Sequence, residues 1–178
     1  VEVAYLFALA DVIPQVDWTA LKAHKEILTQ WSLALPEVDI QRVKTIEKTT
    51  NHDVKAVEYC IKEKLDALGL QAYKEWVHFG LTSQDINNTA IPLSFKEASE
   101  QVMLPALQAV VEILKQQAQA WKNIPLLAKT HGQPASPTML GKEWYVFVAR
   151  LEGQLNALST VPFSAKFGGA TGNYNAHH

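Results

Sequence analysis

The chain has 178 residues, 48% hydrophobic and 19% charged, which suits one ordinary globular domain or a piece of a larger one. Sixteen Lys and Arg against eighteen Asp and Glu leave a net charge of -2, which excludes the basic stripe that phosphate-binding nucleic-acid partners require. A single cysteine, Cys60, excludes an internal disulfide and a cysteine-built zinc site, and the apolar run Val3–Ala10 is far short of the roughly 20 residues that span a bilayer. The expectation is a soluble, cytoplasmic protein that binds neither nucleic acid nor membrane. The Val-Glu-Val-Ala start lacks the basic region of a signal peptide, and both ends read as cut from a longer chain.

Helical periodicity dominates from the start. Leu21, His24, Leu28, Trp31 and Leu35 recur at spacings of three and four, which predicts one helix with Asp17 as N-cap and Pro36 after its end. His24 lies on that stripe and reads as structural. Val54, Val57, Ile61, Leu65 and Leu68 repeat the pattern, with Gly69 as the stop. Ser83 to Ala120 contains no glycine and no turn cluster, so it predicts one long helix, bent near Pro92 or Pro105 because proline removes a helical bond and crowds the preceding turn. At about 1.5 Å per residue that helix would run roughly 57 Å. Its 102–114 stretch is apolar on more than one face and calls for neighbours on most sides, as in a bundle shared between subunits. Asn123 to Pro137, with three prolines and one glycine, reads as a long, specific loop. Leu140, Trp144, Phe147, Leu151, Leu155 and Leu158 predict a last helix. No run alternates apolar and polar residues convincingly enough to predict a strand, and the fold class is all-α.

Three polar clusters carry the candidate chemistry, each with a structural and a functional reading. Thr50-Asn51-His52-Asp53 precedes a helix: Thr50 as N-cap with Asp53 at the third position forms a near capping box, or the helix start binds an anion. Thr82 or Ser83 caps the long helix with Asp85 in its first turn, but the polar density through Thr89 also suggests a ligand pocket. His78 is core or pocket. Lys129 to Pro137 holds His131 in a loop fixed by Gly132, Pro134 and Pro137, so His131 is either an acid/base group or a loop histidine that bonds a carbonyl. Cys60, mid-helix, has no activating basic pattern. The histidines lack metal-ligand spacing, and Gly168 to Gly172 lacks that of a phosphate loop, so no metal site is expected.

Three segments in this order, Thr50 to Tyr59, Val77 to Asn88 and Ile124 to Ala135, together with Gly172 to His177, resemble the bacterial subgroup of the adenylosuccinate lyase family in the fumarase/aspartase superfamily. The likeness covers essentially the whole chain. Thr-Ser-Gln-Asp at 82–85 also resembles the cycloisomerase branch, whereas Thr-His-Gly-Gln-Pro-Ala at 130–135 with Gly-Asn-Tyr-Asn-Ala-His at 172–177 points to the purine enzymes.

The resemblance implies a β-elimination that releases fumarate from adenylosuccinate, giving AMP, and from the succinylated carboxamide ribotide of purine synthesis, with no metal or organic cofactor. It implies His131 as general acid. It also implies Thr82 and Ser83 on the succinyl carboxylates, Asn51, His52 and Asp53 in another substrate-binding segment, and Gln133 in the pocket. The family's catalytic base, a serine in a Ser-Ser-x-Met-Pro-x-Lys-x-Asn-Pro loop, has no match here, nor has the family's N-terminal Arg-Tyr segment. The resemblance therefore implies an N-terminal fragment, inactive alone: residues 1–81 an N-terminal helical domain, and 82–178 the first part of the central long-helix bundle of a homotetramer. Alternatives are another lyase of the superfamily, or a helical oligomerisation module without chemistry.

Overall fold

The computed structural model of the chain describes residues 1–177, and they divide into two compact units. The first comprises Val1–Ile91 and the segment from Ala165 onward; the second is Pro92–Ser164. Among the described residues no helix is long and apolar enough to cross a membrane.

The first unit opens with α1 (Glu2–Val12), α2 (Thr19–Ala23), α3 (Lys25–Leu33), α4 (Glu37–Thr50) and α5 (Asp53–Ala67), followed by a 3-10 turn at Gln71–Trp76. Its core joins Leu6 and Phe7 of α1 to Leu21, Leu28, Ile61 and Leu65, with Trp18 and Tyr73 at its edge. Trp18 stacks on Tyr73 at 5.5 Å between centroids, and each donates to a backbone carbonyl: Trp18 to Ile13 at 2.8 Å, Tyr73 to Asp17 at 2.7 Å. Both polar tips are thus satisfied where the rings are buried.

Gly69 stops α5 as the spacing predicts. It adopts φ +73°, its N–H reaches the Asp66 carbonyl at 3.0 Å and the next N–H, of Leu70, reaches Leu65 at 2.8 Å, a double closure that satisfies two end carbonyls. The predicted helix over 21–35 is broken instead. His24 leaves helical geometry at φ -101°, ψ 10°, separating α2 from α3, while its Nδ1 lies 2.9 Å from the Ala20 carbonyl. Asp17 accepts from Thr19 N–H at 3.0 Å, one residue before the cap position taken by Trp18. Helix α4 is absent from the periodicity because it buries only Ile46. It packs on α5 through Ile46 and Val43 against Ala56 and Cys60, and the exposed Arg42–Glu63 pair, with nitrogen–oxygen distances of 2.6 and 2.9 Å, bridges the same two helices.

Helical backbone then continues from Ser83 to Ala120 as α6 (Ser83–Ala98), a π-helical turn (Ser99–Met103) and α7 (Leu104–Ala120). Pro92 sits inside α6. The π turn lies just ahead of Pro105, where a wider turn relieves the clash between the proline ring and the carbonyl four residues back.

In the second unit α7 packs on α8 (Leu140–Ser159), with Lys115 bridging Glu112 and Glu152 at 2.8 and 2.9 Å. The segment between them is a correction to the strand-free expectation. Pro125–Thr130 (β1) and Gln133–Met139 (β2) form an antiparallel hairpin with a register irregularity between Leu127 and Lys129. A two-stranded sheet has only edges, so Pro134 and Pro137 can turn their donorless nitrogens outward. Both strands are largely exposed, which is why no apolar alternation marks them.

Candidate active site

The start of α5 is built differently from the predicted capping box. Thr50 ends α4, its hydroxyl donating to the Ile46 carbonyl at 3.1 Å, and Asn51 turns the chain at φ 52°, a conformation asparagine tolerates. The cap is His52, whose Nδ1 accepts from Lys55 N–H at 3.1 Å. Accepting a backbone hydrogen there places the proton of the neutral ring on Nε2, which becomes a donor. Asp53 accepts from Val54 N–H at 2.7 Å. Asn51, His52 and Asp53 line a shallow recess with Lys44, Glu47 and Lys48. Asp53 also faces a mostly apolar cavity of about 370 Å³ bounded by Val1–Val3, Trp31, Cys60, Ile86 and Asn87; Thr82 and Ser83 are not among its lining residues.

The start of α6 depends on Asp85, 2% exposed. One carboxylate oxygen accepts from both Thr82 N–H and Thr82 Oγ at 3.0 Å, a box of the Thr-x-x-Asp type. The other accepts from Gly168 N–H at 2.8 Å and Gly169 N–H at 2.9 Å, with Lys166 Nζ at 3.4 Å. Gly169 adopts φ +77°, which turns successive N–H groups toward one point. Burial alone would raise the Asp85 carboxyl; the donors of Gly168, Thr82 and Gly169 outweigh it and hold it far below the usual carboxylate range. The hydroxyl of half-buried Ser83 has no hydrogen-bond partner among the described residues.

His78, left open between core and pocket, is half-buried and pairs with Glu2. At φ 65° its Nδ1 meets the buried Glu2 carboxylate at 2.6 Å, and that bond raises the imidazole above its ordinary value against the opposing effect of burial. Asp85 as an anchor between distant segments, and Glu2 as the partner of His78, were not legible. The Thr-x-x-Asp spacing marks a cap, but nothing local announces partners more than 70 residues away.

His131 and Gln133 belong to the second unit, at the tip of the hairpin. His131 (φ 48°) and Gly132 (φ 76°) are the two central residues of its turn, and this pair of positive φ values matches the right-handed twist of the strands. His131 is exposed, and its ring has no hydrogen-bond partner among the described residues; Gln133 opens β2 opposite Thr130. The structure thus places Asn51, His52 and Asp53 at one helix start and Thr82 and Ser83 at another within the first unit, with His131 on the hairpin turn of the second. Among the described residues no three His, Cys, Asp or Glu side chains converge to hold a metal ion.

A family model described as Lyase matches residues 4–178. The adenylosuccinate lyase of Dictyostelium discoideum is 52% identical over 184 residues, covering 99% of this chain and 39% of that protein. That of Vibrio cholerae serotype O1 is 44% identical over 179 residues with the same coverages, and that of Escherichia coli K12 48% identical over 142 residues, 79% of this chain and 31% of that one. Among solved structures, a fumarate lyase from Mesorhizobium sp. BNC1 superposes with a TM-score of 0.75 at 22% identity, over 98% of this chain and 39% of that one. A 3-carboxy-cis,cis-muconate lactonizing enzyme from Pseudomonas putida superposes with a TM-score of 0.72 at 24% identity, over 98% and 38%. These structural likenesses speak to the fold alone. The chain spans about two fifths of the length of the first two relatives, 39% of each. With the family match running from residue 4 to residue 178 and these adenylosuccinate lyases aligned through every polar cluster of the chain, it belongs to the lyase family.

Proposed function

We propose that the chain is the N-terminal part of a lyase that eliminates fumarate from adenylosuccinate, giving AMP, and from the succinylated aminoimidazole carboxamide ribotide of purine biosynthesis. Residues 1–81 form its N-terminal helical domain and 82–178 begin its central bundle. The enzyme acts as a cytoplasmic homotetramer whose active sites combine segments of several subunits. Apolar side chains left exposed on the π turn, α7 and α8, among them Val102, Val110, Ile113 and Phe147, support such assembly.

In this reading a base outside the chain removes the proton from the succinyl carbon beside a carboxylate. The electron pair develops next to that carboxylate, the carbon–nitrogen bond breaks, and His131 delivers a proton to the departing nitrogen. Asn51, His52 and Asp53 hold substrate, His52 donating through Nε2; Thr82 and Ser83 form the segment at the succinyl carboxylates; Gln133 lines the pocket. No metal or organic cofactor takes part.

The observation that carries the proposal is the 52% identity to an adenylosuccinate lyase over 99% of the chain, with the His131 ring unpartnered among the described residues on a two-residue turn. The test is fumarate release from adenylosuccinate by the complete enzyme and by its His131→Gln variant. A wild type that releases no fumarate, or a variant with normal kcat, overturns the reading.

A further inference from the structure

We infer that Asp85 is a positioning residue of the proposed site, and that it divides the work of its two neighbours: Thr82 serves Asp85, and Ser83 alone of the pair offers its hydroxyl proton to a carboxylate. The inference rests on the proposed function and refines it. Thr82 commits both of its donors, N–H and Oγ–H, to one oxygen of Asp85 at 3.0 Å. A hydroxyl has a single proton, so Thr82 in this state can only accept, and a substrate carboxylate also only accepts. Ser83, next in sequence, has its hydroxyl unpartnered among the described residues and stands at the first position of α6, where N–H groups point at an anion.

The other oxygen of Asp85 ties this helix start to the 166–169 loop. Gly168 and Gly169 donate at 2.8 and 2.9 Å, and Lys166 Nζ approaches both that oxygen and the Gly169 carbonyl. Lys166 N–H also reaches the Asn88 carbonyl at 3.3 Å, a second tie between the same two segments. Five donor contacts on one carboxylate fix the direction in which Ser83 leaves the turn. An amide in place of Asp85 cannot substitute. Whichever way it is flipped, its NH2 faces backbone N–H groups, those of Gly168 and Gly169 or that of Thr82, and those groups cannot become acceptors.

The test is a double-mutant cycle in the complete lyase, with Asp85→Asn, Thr82→Val and both together, assayed on adenylosuccinate. Each single substitution should raise KM at least tenfold and by more than it lowers kcat, and the double should be no worse than the more damaging single. Thr82→Ser, which keeps the proton, should sit at least fivefold closer to wild type in KM than Thr82→Val. Mere loss of folded enzyme would lower apparent kcat at unchanged KM, and that result overturns the inference. So do KM increases that multiply in the double, because Thr82 would then touch the substrate itself.

A second measurement covers an Asp85→Asn that fails to fold and a wild type that proves inactive on adenylosuccinate, the latter being a failure of the functional reading. In the 178-residue chain, Thr82→Val should speed amide hydrogen exchange at Gly168 and Gly169 at least fivefold. Unchanged exchange there means that Thr82 does not act through Asp85, and the inference falls.

Discussion

Replacing glycine by alanine inside a helix ordinarily stabilises it by about 0.5–1 kcal/mol. Helix α8 contains two glycines for which the structure predicts opposite signs. At Gly153 a Cβ would meet nothing within 4 Å, so Gly153→Ala should follow the rule. At Gly141 a Cβ would overlap the Ala118 carbonyl oxygen and come within 2.6 Å of Lys122 N and Cα. These are backbone atoms of the chain leaving α7, and no rotamer can move them aside. Relief requires α8 to shift away, which stretches Gly141 N–H to Trp121 O (3.0 Å) and Leu140 N–H to Ile124 O (2.9 Å). It also disturbs the edge-on contact of Trp121 with Trp144 at 5.2 Å. Overpacking costs about 1–3 kcal/mol, each weakened hydrogen bond up to about 1 and the aromatic pair about 1, against a gain of under 1, so Gly141→Ala should lose about 3 kcal/mol net. Urea unfolding followed by tryptophan fluorescence reads both variants. A Gly141→Ala midpoint at or above wild type, or level with Gly153→Ala, refutes the account of this helix contact.

In the complete enzyme His131→Gln should lower kcat by about two or more orders of magnitude, the usual contribution of a general acid, with KM changed little; stopped turnover assays measure this. The 178-residue chain by itself should release no fumarate from adenylosuccinate, since the proposed base lies outside it; turnover that scales with the amount of pure chain would relocate the base. The His78–Glu2 pair sets a pH dependence. Because Glu2 raises His78 above its unfolded value of about 6.5, the pair's stabilisation is complete below that value and is lost as pH rises through the higher folded one. The urea midpoint should therefore fall from pH 6 toward pH 9 more steeply in wild type than in Glu2→Gln, and parallel curves would show that the pair does not control stability.

What was legible in the sequence follows from what burial repeats. The stripes of α5 and α8 recur because each of those helices presents one side to neighbours, and Gly69 was readable because only a left-handed residue completes that closure. The long helix was readable from an absence of punctuation, but the π turn before Pro105 was not, since an extra residue in one turn leaves no compositional mark. Helix α4 buries a single residue, Ile46, and the hairpin buries no face at all, so periodicity had nothing to report for either. The break at His24 came from a histidine that sits on the apolar stripe yet leaves helical geometry.

For the candidate site the clusters themselves were legible and the allocation of their donors was not. A run such as Thr-Ser-Gln-Asp advertises polar groups, yet folding consumes some of them before any ligand arrives. His52 spends Nδ1 on the cap of α5, which leaves Nε2 to donate; Thr82 spends N–H and hydroxyl on Asp85; Asp85 spends both oxygens on the turn and on the 166–169 loop. Ser83 Oγ, His52 Nε2 and the ring of His131 are left without a hydrogen bond among the described residues. The capping and binding readings of these motifs therefore do not compete for the same residue. They divide its atoms, and the atoms that cap decide which way the remaining ones point.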